Sequence, residues 1–237
     1  MALYTYRKIK PRPFKKLFSA VSVFFMISGI SLIAWVAYPI VSFELFFAPR
    51  FVGIIKPIPE EVIAEALENR FPEALSSTRV DYTKANVWFP KKPQLRTSSV
   101  VEDYNLSIPK LKIKDASVII GSEDLNKSLI HYGGTATPGD YGNAVIFGHS
   151  VLPAFYDPKN YKTIFSTLPT LTNGDDIYLN YDNVTYKYTV EEMRVVSPDD
   201  ISVLEQKFDD SYISLITCVP PGTYWKRLVV KARLAKI

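Results

Sequence analysis

Cysteine is nearly missing from this sequence: Cys218 is the only one in 237 residues. An intrachain disulfide is therefore excluded, as is any zinc site built from paired thiolates. Histidine is almost as scarce, with only His131 and His149, and no His-x-x-x-His pair occurs. No glycine-rich phosphate loop is found. Internal repeats, coiled-coil heptads and low-complexity tracts are lacking as well. What the chain does have is 47% hydrophobic against 22% charged residues, the balance of a folding chain.

The formal charge of +4 is confined to one end. Arg7, Lys8, Lys10, Arg12, Lys15 and Lys16 precede residue 17 with no acidic residue among them, leaving 22 basic against 24 acidic residues beyond. A nucleic-acid partner would need basic clustering elsewhere, and there is none. The segment that follows, "LFSAVSVFFMISGISLIAWVAYPIV" (17–41), carries no charge. Roughly 20 apolar residues suffice to cross a bilayer. The run exceeds the apolar core of a signal peptide, about 7–15 residues, and its end, "AWVAYPIVSFELFF", offers no good small-x-small cleavage site. We expect an uncleaved anchor with residues 1–16 cytoplasmic and the rest outside, as the preceding cations dictate.

Beyond the anchor, residues 42–99 read as a helix and linker. "PIPEEVIAEALENRF" (57–71) has prolines before it, acidic residues in its first turn and one apolar face. Residues 72–99 break up around Pro90 and Pro93 and are expected to tether the domain off the membrane. From about residue 100 to 237 the texture is β-type. "NAVIFGHS", "DDIYLNY", "TYKYTVEEMRVV", "SYISLITC" and "RLVVKARL" are rich in Val, Ile, Tyr and Thr, with turn chemistry such as "TATPGDYGN" and "LTNGDD" between them. "SEDLNKSLI" and "YKTIFSTL" are expected as short helical connectors, the first capped by Ser122. Many short strands and few helices predict an all-β fold, a closed antiparallel barrel or a sandwich.

The chemistry narrows to a few side chains. Cys218 ends the apolar run "SYISLIT" as the chain turns through "VPPG". A buried thiol is the ordinary fate of a lone cysteine, yet the mouth of a rigid scaffold is where catalytic groups collect. Arg227 opens the next run. If the two runs pair as a hairpin, Cys218 and Arg227 share one end of adjacent strands, where a guanidinium can donate to an oxyanion. His149 ends "AVIFGHS" behind Gly148, which admits close approach. His131 is read as a helix-end cation with a structural role. Acidic pairs Glu123/Asp124, Asp175/Asp176 and Asp199/Asp200 sit in turns as solvated caps, a weak calcium site being their alternative role. No metal or other cofactor is expected.

With those residues in view the chain resembles the sortases, membrane-anchored cysteine transpeptidases. "SLITCVPPGTYWKRLVV" looks like the family's Leu-x-Thr-Cys motif and its arginine, and "PGDYGNAVIFGHS" like the segment carrying its histidine. "LSIPKLKI" and "LTNGDDIYL" are similar to further landmarks, and the likeness runs from about residue 104 to the end. It implies an eight-stranded β-barrel with Cys218 as nucleophile, His149 as general acid/base and Arg227 as oxyanion donor. Asn143 and Thr217 are carried as substrate-binding candidates. The implied partners are surface proteins bearing a C-terminal LPxTG-like sorting signal and an amine acceptor, a cell-wall peptide or a pilin lysine.

Departures bear on the subclass. The chain stops ten residues after Arg227 without a second apolar span, and its linker lacks an Asp-Pro-aromatic lid, "DYTKANVWFP" (81–90) being the nearest stretch. The spacing of nine between Cys218 and Arg227 is nevertheless similar to that of pilus-building members. Wall or surface anchoring is the leading expectation and pilin polymerisation the second. An anchored, inactive binding module is a third reading. A papain-like peptidase, with its cysteine before its histidine, has the wrong order.

Overall fold

The computed structural model describes residues 13–51, 81–88, 94 and 102–235; the helix expected over 57–71 lies outside these residues. Helix α1 (Pro13–Ser42) is continued by a π-helical turn (Phe43–Phe47) and a 3-10 turn (Ala48–Phe51). The path from Leu17 to Phe51 is long and apolar enough to cross a membrane. Its apolar residues are exposed nearly all round, as a lipid-facing helix requires.

Eight strands follow: β1 (Asp103–Ile108), β2 (Ile113–Ile120), β3 (Leu129–His131), β4 (Gly142–Phe147), β5 (Asp176–Tyr181), β6 (Val184–Val196), β7 (Ser211–Val219) and β8 (Lys226–Leu234). They close in the order β1-β2-β3-β4-β7-β8-β6-β5, which leaves no free edge to template aggregation. The expected barrel is present, but it is not purely antiparallel. The β2–β3 and β4–β7 pairs are parallel: residues 121–128 return the chain from the end of β2 to the start of β3, and β5 and β6 intervene between β4 and β7. The two segments expected as helical connectors also differ. "SEDLNKSLI" forms turns that lead into β3, and "YKTIFSTL" forms turns and a 3-10 segment (Leu168–Thr170). Ser122 caps no helix; its carbonyl accepts from Gln94 Nε2.

Period-2 alternation sorts the side chains into two apolar clusters. Leu106, Val118, Leu129, Ile146, Leu179, Val190, Leu215 and Val230, one from each strand, fill the barrel interior. Val145 and Phe147 of β4, Ile216 and Cys218 of β7 and Val229 of β8 point the other way, into a second cluster outside the wall. Strands β4 and β7 are therefore buried on both faces, which explains why they read as continuous apolar runs.

Two stretches outside the strands pack on the barrel, the end of the α1 path and residues 81–88 of the 72–99 linker. Phe43 and Phe51, from the turns that continue α1, join the cluster that fills the barrel. Ala85 and Trp88 are fully buried in the outer cluster, and Lys84 bridges to Asp124. Burying one large apolar side chain contributes roughly 1.5–3 kcal/mol, enough to hold a short segment in place.

Candidate active site

The site is built at one end of β7. Residues 220–225 connect β7 to β8, and antiparallel register sets Cys218 directly opposite Arg227. Both side chains are about 1% exposed. The third residue arrives from a distance. Strand β4 runs parallel to β7 with Phe147 level with Ile216, and Gly148 N–H extends the ladder to the Ile216 carbonyl at 3.1 Å. His149 consequently emerges beside the Thr217–Cys218 end on the outer face. A Cβ on Gly148 would run into Phe165 and Leu129, so only glycine lets the strand leave the barrel here. Thr217 Oγ1 donates to the Gly148 carbonyl at 2.8 Å, and Ser150 Oγ to the Cys218 carbonyl at 2.6 Å. Together these bonds lock the backbones on either side of His149 and Cys218.

Trp88, from the stretch 81–90 that the sequence offered only as the nearest thing to a lid, covers the group. The Trp88 ring lies 5.0 Å from the Arg227 guanidinium carbon and 5.9 Å, centroid to centroid, from His149. It also meets Phe147 edge-on at 5.5 Å. Its Nε1–H donates to the Tyr82 carbonyl at 2.9 Å, and Tyr82 stacks on Tyr224 of the β7–β8 turn at 4.2 Å. The available signal was the aromatic cluster "NVWF" in that stretch, which lacks the Asp-Pro-aromatic pattern and so did not single out Trp88.

This enclosure governs protonation. Burial pushes the Cys218 thiol up to about 11, against the opposing pull of the Arg227 charge. Burial likewise draws His149 down to about 4. In the covered state both groups are neutral around pH 7. His149 Nε2 and Arg227 Nε are buried without a hydrogen-bond partner, and Arg227 Nη1 donates to the Tyr224 and Lys226 carbonyls.

The remaining candidates lie as follows. Thr217 is at the site but buried and committed to Gly148. Asn143 is not brought there. It shares the outer face of β4 with His149 but lies six residues down the strand, about 20 Å away at the usual rise. It donates to the Val203 carbonyl and accepts from Ser214 Oγ. His131 is a strand residue, not a helix end. Its ring is buried between Tyr104 OH at 2.8 Å and Thr135 Oγ1 at 3.0 Å, and burial lowers it to about 4. Asp124 pairs with Lys127, Asp175 with Lys110, and Asp200 accepts from Ser202 N–H.

A sortase-domain family model matches residues 106–235, more than half of the chain. The chain belongs to the sortase family. Members of that family are cysteine transpeptidases. This sortase is 29% identical over 209 residues to Sortase A of Bacillus anthracis, covering 83% of this chain and 94% of that one. It is 34% identical over 128 residues to Sortase A of Staphylococcus aureus, covering 47% and 58%; the match spans little more than half of that relative. Among solved structures, a lid mutant of Sortase A from Corynebacterium diphtheriae superposes with a TM-score of 0.50 at 28% identity, over 69% of this chain and 82% of that one. Sortase C-1 of Actinomyces oris gives 0.51 at 25% identity, over 59% and 77%.

Proposed function

We propose that this sortase is a membrane-anchored transpeptidase that cuts an LPxTG-like sorting signal and passes the acyl group to an amine of the cell surface. The observation that carries it is the meeting of Cys218, His149 and Arg227 at one barrel end, from strands 69 residues apart in the chain. The α1 helix spans the membrane with the cationic residues 1–16 inside, so the barrel faces outward.

The chemistry follows from the residue types. Substrate displaces Trp88 and water reaches the thiol, which relieves the burial that holds it protonated. Cys218 passes its proton to His149, and the thiolate attacks the threonyl carbonyl carbon. Arg227, always a cation, donates to the oxyanion and cannot act as a base. The carbon–nitrogen bond breaks as the His149 imidazolium protonates the departing amine. An incoming amine, its proton taken by His149, then attacks the thioester to form the new amide and release the thiol.

The test uses the full chain in detergent with an LPxTG-type peptide and an amine acceptor. A ligated product that Cys218→Ala abolishes is the expected result. Binding without turnover in the unmutated protein would overturn the enzymatic reading, and cleavage indifferent to amine would make it a peptidase.

A further inference from the structure

A concave surface lined by none of Cys218, His149 and Arg227 lies beside α1. A cleft of about 430 Å³ separates the exit end of α1 from the barrel, within the size range of small-molecule sites. Trp35, Tyr38 and Phe43 form one wall; Pro153, Ala154 and Pro221 belong to the other. The barrel side comes from the two loops that flank the catalytic group, one following His149 and one following Cys218.

The position of this cleft relative to a bilayer can be worked out. The uncharged run begins at Leu17, and the first charged residue after it is Glu44. About 20 helical residues cross the hydrocarbon, so the outer boundary falls between roughly residue 36 and Glu44. Trp35 and Tyr38 are the aromatic types that mark such boundaries. The helical path does not stop there but runs on to Phe51, and Phe43 and Phe51 are buried against the barrel. The barrel is thus seated on the helix end, and the mouth of the cleft is continuous with the lipid-facing surface of α1. Exposed Phe155, beside Ala154, extends the apolar rim.

We infer that this cleft takes an acyl chain of a membrane phospholipid, seating the catalytic end of the barrel at the headgroup level. The inference rests on α1 spanning the bilayer, part of the reading above, but not on the transpeptidation itself. Its consequence is that the thiol works beside the membrane surface, where only a scissile peptide held close to the bilayer meets it readily.

The lone cysteine makes the test simple. In the Cys218→Ala chain, single cysteines are introduced by Ile27→Cys, Ala154→Cys and Asn183→Cys, all at exposed positions. Each is labelled with bimane, and each chain is reconstituted in phosphatidylcholine vesicles with or without bromines on the acyl chains. Ile27 lies mid-helix, and Asn183 lies in the β5–β6 turn, far down β6 from the residue that pairs with Arg227. We expect the label at 154 to lose a fraction of its fluorescence comparable with that at 27, and the label at 183 to lose none. Quenching at 27 with none at 154 overturns the inference while leaving the anchor intact. Quenching at 154 by headgroup-attached quenchers alone means contact without chain entry, and also overturns it. Protection of position 154 by sorting peptide, with no acyl quenching, assigns the cleft to peptide instead. No quenching at 27 removes the anchor reading together with the inference. Thermal melts of the three labelled chains check that each is folded.

Discussion

The indole of Trp88 lies over the guanidinium of Arg227, 5.0 Å from ring centroid to guanidinium carbon, in the buried cluster that also holds Cys218. Such a cation–π contact contributes about 0.5–1 kcal/mol at exposed sites and about 2 when desolvated. The covering segment is held by a few contacts of this kind, so it can be displaced at moderate cost.

Trp88→Ala is expected to uncover the thiol. Alkylation of Cys218 by iodoacetamide near pH 7 should accelerate at least tenfold, the factor that corresponds to about one unit of thiol pKa. Transpeptidation of the peptide should rise or hold. An alkylation rate equal to that of the unmutated chain would show that Trp88 does not control access.

Stability should fall on acidification. Burial lowers His149 and His131 from the ordinary 6.5 to about 4, so between those values the unfolded chain binds protons that the folded chain refuses. Stability is full above pH 6.5 and is lost as pH falls toward 4, by on the order of 3 kcal/mol per histidine. At the alkaline end Cys218, raised to about 11 from 9, works in the opposite direction, and its contribution is lost as pH rises through that window. Urea midpoints from pH 4 to 7 measure the acid limb. His131→Gln should flatten about half of it without touching the site, and an unchanged slope would refute the assignment.

Arg227→Lys tests the planar fork against charge alone. Lysine keeps the cation but cannot present the paired donors of a planar guanidinium. Transpeptidation should drop by about 10²–10³, the usual loss for one oxyanion donor, with kcat falling more than KM changes. An equal loss in Arg227→Ala and Arg227→Lys is expected. Full activity in the lysine variant would mean that charge, not geometry, is what this position supplies.

Thr217→Val removes the 2.8 Å bond to the Gly148 carbonyl and leaves that acceptor buried and unpaired. The cost should be about 1–3 kcal/mol in denaturant unfolding. Activity should fall with it, because the bond fixes the backbone that carries His149. Thr217→Ser keeps the hydroxyl and should restore turnover; if Thr217→Ser is as impaired as Thr217→Val, the methyl and not the bond matters.

The sequence alone was enough for whatever depends on neighbours in the chain. The uncharged run from Leu17 to Val41 dictates a helix able to span a bilayer, since length and composition decide that by themselves. The short turn between "SYISLITC" and "RLVVKARL" likewise dictates the pairing of Cys218 with Arg227, because a hairpin leaves little choice of register. Tertiary structure decided everything that required distant segments to meet. The parallel β4–β7 pair brings His149 to Cys218, and no periodicity in either strand announces its partner. "SEDLNKSLI" reads as a helix, yet its end becomes β3 because pairing with β2 and β4 satisfies its backbone and buries His131. Asn143, on the same strand as the approach to His149, lands at the wrong end, since strand position converts directly into distance. Trp88 sits in a stretch that looks like a tether and is held over the catalytic group by two distant segments, the end of β4 (Phe147, His149) and β8 (Arg227), with Tyr82 of its own segment accepting from the indole.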